Sequence, residues 1–242
     1  MEYMLILSED PDLIATDDDR KRAVQEVGEY AMSLVGEGVL KGGAPLRPVA
    51  EAKKVRIRDG QQRVLDGPFA ESKEVIAGSF IIDAKDRAEA IEIAKRCPHA
   101  RAGIVEVRAL PDRDVAKPGF TTAARSEKQP TQFMFLLRAE PGESDPDGSK
   151  YREMIAYDVT LKREGSYVES SQLARDTAAR VEAQGGPPLV SDGPFVETKE
   201  VAAGYYVVAA QDRAQAIEIA ERCPHARWGS IEVREVMRIG PT

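Results

Sequence analysis

Apolar and polar residues follow one another along this chain in a pattern that occurs twice. Residues 2–8 and 132–138 are short apolar runs rich in strand formers, and each reads as the first strand of a half. A helix is predicted next in both halves. Asp17 to Asp19 offer N-caps, Val24, Val27, Ala31, Leu34 and Val35 recur at helical spacing, and Gly36 and Gly38 end the run. Tyr151, Met154, Ile155, Val159 and Leu161 do the same less regularly in the second half. Segments 39–46 and 54–58 follow, and Val55 and Ile57 alternate with charges there as in a half-exposed strand.

Val75 to Asp83 and Val201 to Ala209 are β-branched, aromatic or otherwise apolar, which predicts buried central strands. Asp86 with Glu89, and Asp212 with Gln215, have the spacing of a capping box that opens a second helix. Ala90, Ile93, Ala94 and Cys97 share one face of that helix, and Pro98 and Pro224 stop it. Val105 and Val107, like Ile231 and Val233, then alternate with Glu and Arg in a last strand. The order β-α-β(β)-β-α-β is that of a ferredoxin-like split βαβ unit, an α+β class.

The periodicity reflects a duplication. Asp66 to Leu110 aligns without a gap to Asp192 to Val236, with roughly two thirds of the positions identical. Upstream, YMLILSEDP from Tyr3 answers FMFLLRAEP from Phe133 at a slightly different offset. Residues 111–130 combine Pro, Gly and charge without an apolar period, as a linker does. The expected domains are therefore 1–110 and 131–242, joined by 111–130. A ferredoxin-like sheet has one face without helices, so the two domains are expected to pair as an intramolecular pseudo-dimer, the whole being a monomer or a further homodimer.

A chain of 242 residues is long enough for two such cores. Its net charge of −7 argues against direct contact with nucleic acid. No apolar run approaches bilayer length and none resembles a signal peptide, so no membrane contact and a cytoplasmic location are expected. The two cysteines, Cys97 and Cys223, lie outside any CxxC pair, which disfavours a disulfide framework or a cysteine zinc site. Phosphate-binding, GxSxG and HExxH patterns are absent.

Four features could carry chemistry. Asp66-Gly67-Pro68-Phe69 and its repeat from Asp192 form a turn that could display Asp66 or Asp192 as acid, base or acceptor, or could simply turn the chain. Glu71 and Lys73, with Glu197 and Lys199, form a charged set downstream, either a ligand contact or an ion-paired structural element. His99 and His225, the only histidines, sit at equivalent places in CPHAR and suit proton transfer, or else bind carbonyls at a helix end. Gly42 and Gly43 lie in a turn-like GGAPLRP stretch suited to close ligand approach, whereas the second half reads ESSQL there.

The motif DGPF-x-E-[ST]-K-E, with a Gly-aromatic strand and the VEVR-like ending, at 66–108 and 192–234, resembles the DGPF branch of the YCII-related family. The resemblance implies a dimeric α/β-barrel type of fold with a cleft between sheet and helices. No cofactor is expected, and the resemblance links some relatives to transcription regulators. Relatives regarded as enzymes pair a His on the first helix with an Asp before the proline ending the second. The matching positions here are Glu26 and Glu153, and Cys97 and Cys223, so that dyad is absent. Three functions follow as expectations: small-molecule binding in a barrel cleft, a cofactor-independent lyase or isomerase using the Asp and His residues, and a protein-interaction module.

Overall fold

The predicted first strands and helices form as expected. The first repeat runs β1 (Glu2–Glu9), α1 (Asp17–Gly36), β2 (Leu40–Pro45), β3 (Lys53–Arg58), β4 (Gln61–Asp66), β5 (Val75–Asp83), α2 (Arg87–Lys95) and β6 (Gly103–Ala109). The linker contributes β7 (Asp114–Val115). The second repeat runs β8 (Thr131–Ala139), α3 (Ser149–Glu164), β9 (Tyr167–Gln172), β10 (Ala179–Glu182), β11 (Leu189–Asp192), β12 (Val201–Ala210), α4 (Arg213–Glu221) and β13 (Gly229–Glu235). These elements come from a computed structural model that describes residues 1–9, 17–67, 75–111, 113–115, 129–140, 142–174, 178–183, 186–192 and 200–237.

Two antiparallel sheets result. One has the order β11-β10-β6-β1-β5-β2 and the other β4-β3-β13-β8-β12-β9-β7. Within the first, β6-β1-β5-β2 is the fourth-first-third-second order of a ferredoxin-like unit, and β13-β8-β12-β9 repeats it in the second. The protein is thus an α+β chain of two ferredoxin-like units. The compact units take in a hairpin each from the other repeat. Unit 1 comprises residues 1–45, 70–111 and 174–195, and unit 2 comprises 46–69, 112–173 and 196–242. Hairpin β10–β11 of the second repeat therefore completes the first sheet, where Val181 faces Val105, and hairpin β3–β4 of the first repeat completes the second, where Val55 faces Ile231. Ala179 and Val181 are fully buried in the core of unit 1, and Val55 in that of unit 2.

The helices obey the sequence at their ends and depart from it on their faces. Asp86 and Asp212 accept the N–H of Glu89 and Gln215 at 2.9 Å, the N-cap half of the expected capping box. Ala90, Ile93, Ala94 and Cys97 are all buried. On α3, however, Tyr151, Ile155 and Val159 are exposed, and the core takes Tyr157 and Leu161; on α1, Val24 and Val35 are exposed and Tyr30 and Leu34 are buried. Two equivalent tyrosines set this orientation. Tyr30 donates its hydroxyl to the Ile93 carbonyl at 2.8 Å, and Tyr157 donates to that of Ile219 at 2.9 Å, so each long helix is tied to the last turn of the short one. A buried hydroxyl must find a partner, and that requirement outweighs the exposure of a few aliphatic side chains.

The repeated Glu-Val-Arg of the last strand holds the exchanged hairpins. Glu106 and Arg108, two residues apart on one face of β6, form an ion pair at 2.6 Å, and the Arg108 Nε donates to the Ala174 carbonyl at 2.7 Å. In unit 2 the Arg234 Nη1 meets Glu232 at 2.9 Å, its Nε meets the Arg47 carbonyl at 3.0 Å, and Arg138 closes on Glu232 at 3.1 Å. Ala174 is the first residue of one exchanged segment and Arg47 the second of the other, and their amides donate to the carbonyls of Ala109 and Glu235. Each buried arginine therefore fastens the point where the chain leaves one unit for the other. Burial opposes the charge on Glu232, but Arg138 and Arg234 together hold its carboxyl below the usual range.

Candidate functional site

The two aspartates of the repeated turn lie on the exchanged hairpins. Asp66 ends β4 in unit 2 and pairs with Lys53, while Asp192 ends β11 in unit 1 and meets Arg87 at 2.5 Å. Both carboxylates are largely exposed, at 79% and 85%. Because of the exchange, Asp66 shares a unit with His225 and Asp192 with His99, so the Asp and His of one repeat fall in different units. Gly67 belongs to packing: a Cβ there would stand 2.2 Å from the Val49 carbonyl oxygen. Glu71, Lys73, Glu197 and Lys199 lie outside the described residues.

Gly42 and Gly43 fall within β2, paired to Ile81 and Phe80, rather than in a free turn. Gly43 has a φ of 124°, and a Cβ on it would meet the Ser79 carbonyl oxygen at 2.3 Å. Glycine there is demanded by strand pairing.

Both histidines are buried and hold the end of a first strand. The His99 Nε2 lies 3.0 Å from the Ser8 carbonyl oxygen, and the His225 Nε2 lies 2.9 Å from that of Arg138. A carbonyl only accepts, so each Nε2 carries the proton. In His225 the Nδ1 accepts the Trp228 indole N–H at 3.1 Å, which fixes the neutral tautomer from both sides. Glycine makes room for these rings: a Cβ on Gly103 would come within 3.0 Å of the His99 Nε2, and one on Gly229 within 2.4 Å of the His225 Nε2. The CPHAR-x-G pattern thus builds a staple between the turn and the first strand.

Burial lowers the His99 pKa, so between that value and about 6.5 the unfolded chain binds more protons than the folded one. Its contribution to stability is complete above about pH 6.5 and shrinks as the pH falls below it. Urea midpoints measured from pH 5.5 to 7.5 are expected to slope less steeply in His99→Gln than in the wild type. An unchanged slope would show that the ring is not held neutral.

Two clefts open where the short helices end. In unit 1 a cleft of about 370 Å³ has Lys95, Arg96, Cys97 and Arg101 on one side and Ala183, Gly186 and Pro188 of the exchanged segment on the other. The Ala183 N–H donates to the Ala100 carbonyl at 2.7 Å and fixes that second wall. Unit 2 has a cleft of about 430 Å³ at the same place, lined by Glu164, Glu218, Glu221 and Arg222 with Gln62 of its exchanged hairpin. Sequence reasoning does not find these residues, because each cleft takes its walls from both repeats. The one sequence signal is the change of Lys95 to Glu221 within an otherwise closely repeated helix.

A family model for the YCII-related domain matches residues 1–112 and again 131–240, nearly the whole chain. The chain belongs to the YCII-related family. The uncharacterized protein R00369 of Rhizobium meliloti (strain 1021) is 33% identical over 104 residues, covering 42% of this chain and 82% of that protein. Among solved structures, the candidate chlorite dismutase TA0507 aligns over 98% of this chain and 94% of its own at 9% identity and a TM-score of 0.42. A novel heme-binding protein from Thermus thermophilus aligns over 98% and 91% at 12% identity and a TM-score of 0.38. The fold assignment rests on the strand order, not on these likenesses.

In this YCII-related chain the positions matching the relatives' acid-base dyad hold ion pairs and inert thiols. Glu26 on α1 meets Arg101 at 3.4 Å, and Glu153 on α3 pairs with Arg227. Cys97 and Cys223 are 2% and 1% exposed, and burial pushes both thiols up to about 12, so the thiolate is scarce at neutral pH. Arg96 grips Glu37 with two bonds of 2.8 Å, and Arg222 grips Glu164 at 2.7 and 2.8 Å. These hydrogen bonds hold both carboxyls below the usual range. Among the described residues no three His, Cys, Asp or Glu side chains converge as metal ligands, and no helix is long and apolar enough to cross a membrane.

Proposed function

We propose that this YCII-related protein binds a small molecule in the cleft at the end of α2 in unit 1. The observation that carries the proposal is a concave site of about 370 Å³, within the ~300–1,000 Å³ range of small-ligand pockets, with charged heads on one wall and Ala183 and Pro188 on the other. Turnover is not part of this reading, since burial keeps the Cys97 thiol from forming its thiolate. His99 and His225 enter it as staples rather than proton carriers.

The test is a metabolite panel screened against the full chain by ¹H–¹⁵N correlation NMR. Saturable shifts are expected at the amides of Arg96, Cys97, Ala183 and Gly186. Binding compounds whose shifts map only elsewhere would refute the assignment.

A further inference from the structure

We infer that the ligand of the unit 1 cleft is a small organic anion bearing a carboxylate; this rests on the binding role proposed above for the same cleft. The two clefts lie at the ends of equivalent helices, and one equivalent position in their walls reverses its charge, Lys95 of unit 1 standing where unit 2 has Glu221. Arg96 with Glu37 and Arg222 with Glu164 are the shared pair, and each is bidentate and self-neutralising. What remains on the walls differs. Unit 1 adds Lys95 and Arg101 to its lining, and unit 2 adds Glu218 and Glu221; Arg101 and Glu218 recur in the other repeat as Arg227 and Glu92, so the charge that changes is that of Lys95 to Glu221.

The two cations of unit 1 are held loosely enough to change partners. Lys95 meets Glu92 at 2.6 Å, one turn back on the same helix, a kind of helix-surface pair that contributes little. Arg101 touches Glu26 through a single contact of 3.4 Å and keeps 70% of its side chain exposed. Among the described residues the charged side chains that line the cleft are Lys95, Arg96 and Arg101, all cationic, and neither Glu92 nor Glu26 is one of them. A carboxylate entering there gains the Arg101 fork and the Lys95 ammonium together, a geometry that suits a planar oxyanion. Ala183 and Pro188 offer the opposite wall to its carbon skeleton. The second cleft, with Glu218 and Glu221 in it, repels the same ligand.

The experiment titrates succinate, and separately putrescine, into the ¹⁵N-labelled full chain at constant ionic strength, in wild type and in Lys95→Glu. That variant installs the residue of the equivalent helix position, Glu221, and the second repeat shows that the fold accepts it. Succinate is expected to shift the cleft amides of unit 1 saturably, with affinity about tenfold weaker in Lys95→Glu, the order expected for reversing one charge near a partly screened site. Putrescine is expected to leave those amides unmoved. If putrescine or an uncharged panel compound moves them and succinate does not, the anion assignment is overturned while the cleft remains a binding site. If panel compounds bind only elsewhere, the cleft reading falls and the anion assignment with it. Equal succinate affinity in the two proteins would overturn the role of Lys95 and the argument from charge reversal.

Discussion

Cut within residues 116–128 and expressed separately, neither half of this chain is expected to give a folded monomer, whereas the two halves mixed in equal amounts are expected to assemble into one stoichiometric complex. The reason lies in the exchanged hairpins. Without the second half, the first sheet loses β10 from the edge of β6, and with it Ala179 and Val181 from the core of unit 1. Its own hairpin β3–β4 then has no β13 to pair with, and Val55 is left without its core. Burying a single Val is worth roughly 1.5–3 kcal/mol, and the open edge adds unpaired backbone groups prone to association. A lone half can escape only by exchanging hairpins with another copy of itself, which is a dimer and not a monomer. Size-exclusion chromatography with circular dichroism on each half and on the mixture decides it. A stable, monomeric, cooperatively unfolding half would show that the exchange is dispensable.

Replacing Arg234 with Met is expected to destabilise the protein by roughly 3–5 kcal/mol, because it leaves Glu232 buried with one partner instead of two and frees the Arg47 carbonyl from its donor. Glu232 is 4% exposed, so water does not replace what is lost. Its lowered carboxyl gives the wild type stability that is full above the unfolded carboxylate range and is lost as the pH falls through the folded pKa. In Arg234→Met that contribution should shrink at neutral pH, so the variant differs least from wild type in acid. Adding Glu232→Leu is not expected to restore the loss, because Arg138, 17% exposed, then loses the partner that it keeps in the single variant. Denaturant melts at pH 7 and pH 4 of the single and double variants provide the measurement. A loss below about 1 kcal/mol in Arg234→Met would show that the Glu-Val-Arg pairs do not fasten the crossing points.

The candidate chemistry fares unevenly against this structure. CPHAR is conspicuous because histidine suits proton transfer, yet one ring holds Ser8 and the other is occupied at both nitrogens by Arg138 and Trp228. Nothing in the local sequence distinguishes a buried staple from a catalyst; the following glycine, which admits the ring, becomes meaningful only when the last strand is seen against the first. Gly43 is similar: the glycine pair suggests ligand approach, and the close Ser79 carbonyl explains the second member. The α3 face departs from its expected stripe for a related reason. Tyr151, Ile155 and Val159 share a helical spacing, but the hydroxyl of Tyr157 needs the Ile219 carbonyl and turns a different stripe inward.

By itself the sequence determined what depends on near neighbours. Strand and helix periods, N-caps at Asp86 and Asp212, the proline stops and the internal alignment are local or self-referential, and they carry the two ferredoxin-like units and the family membership. Tertiary structure alone decided which sheet each hairpin completes. Val55 and Val181 present the same alternation to either sheet edge, so the pattern of Lys53–Arg58 or Ala179–Glu182 contains no preference between its own β6 or β13 and the other. That choice is made by the long-range pairing and the buried arginines at Ala174 and Arg47. It also builds the clefts, because a wall supplied by the other repeat has no counterpart among a residue's neighbours in sequence.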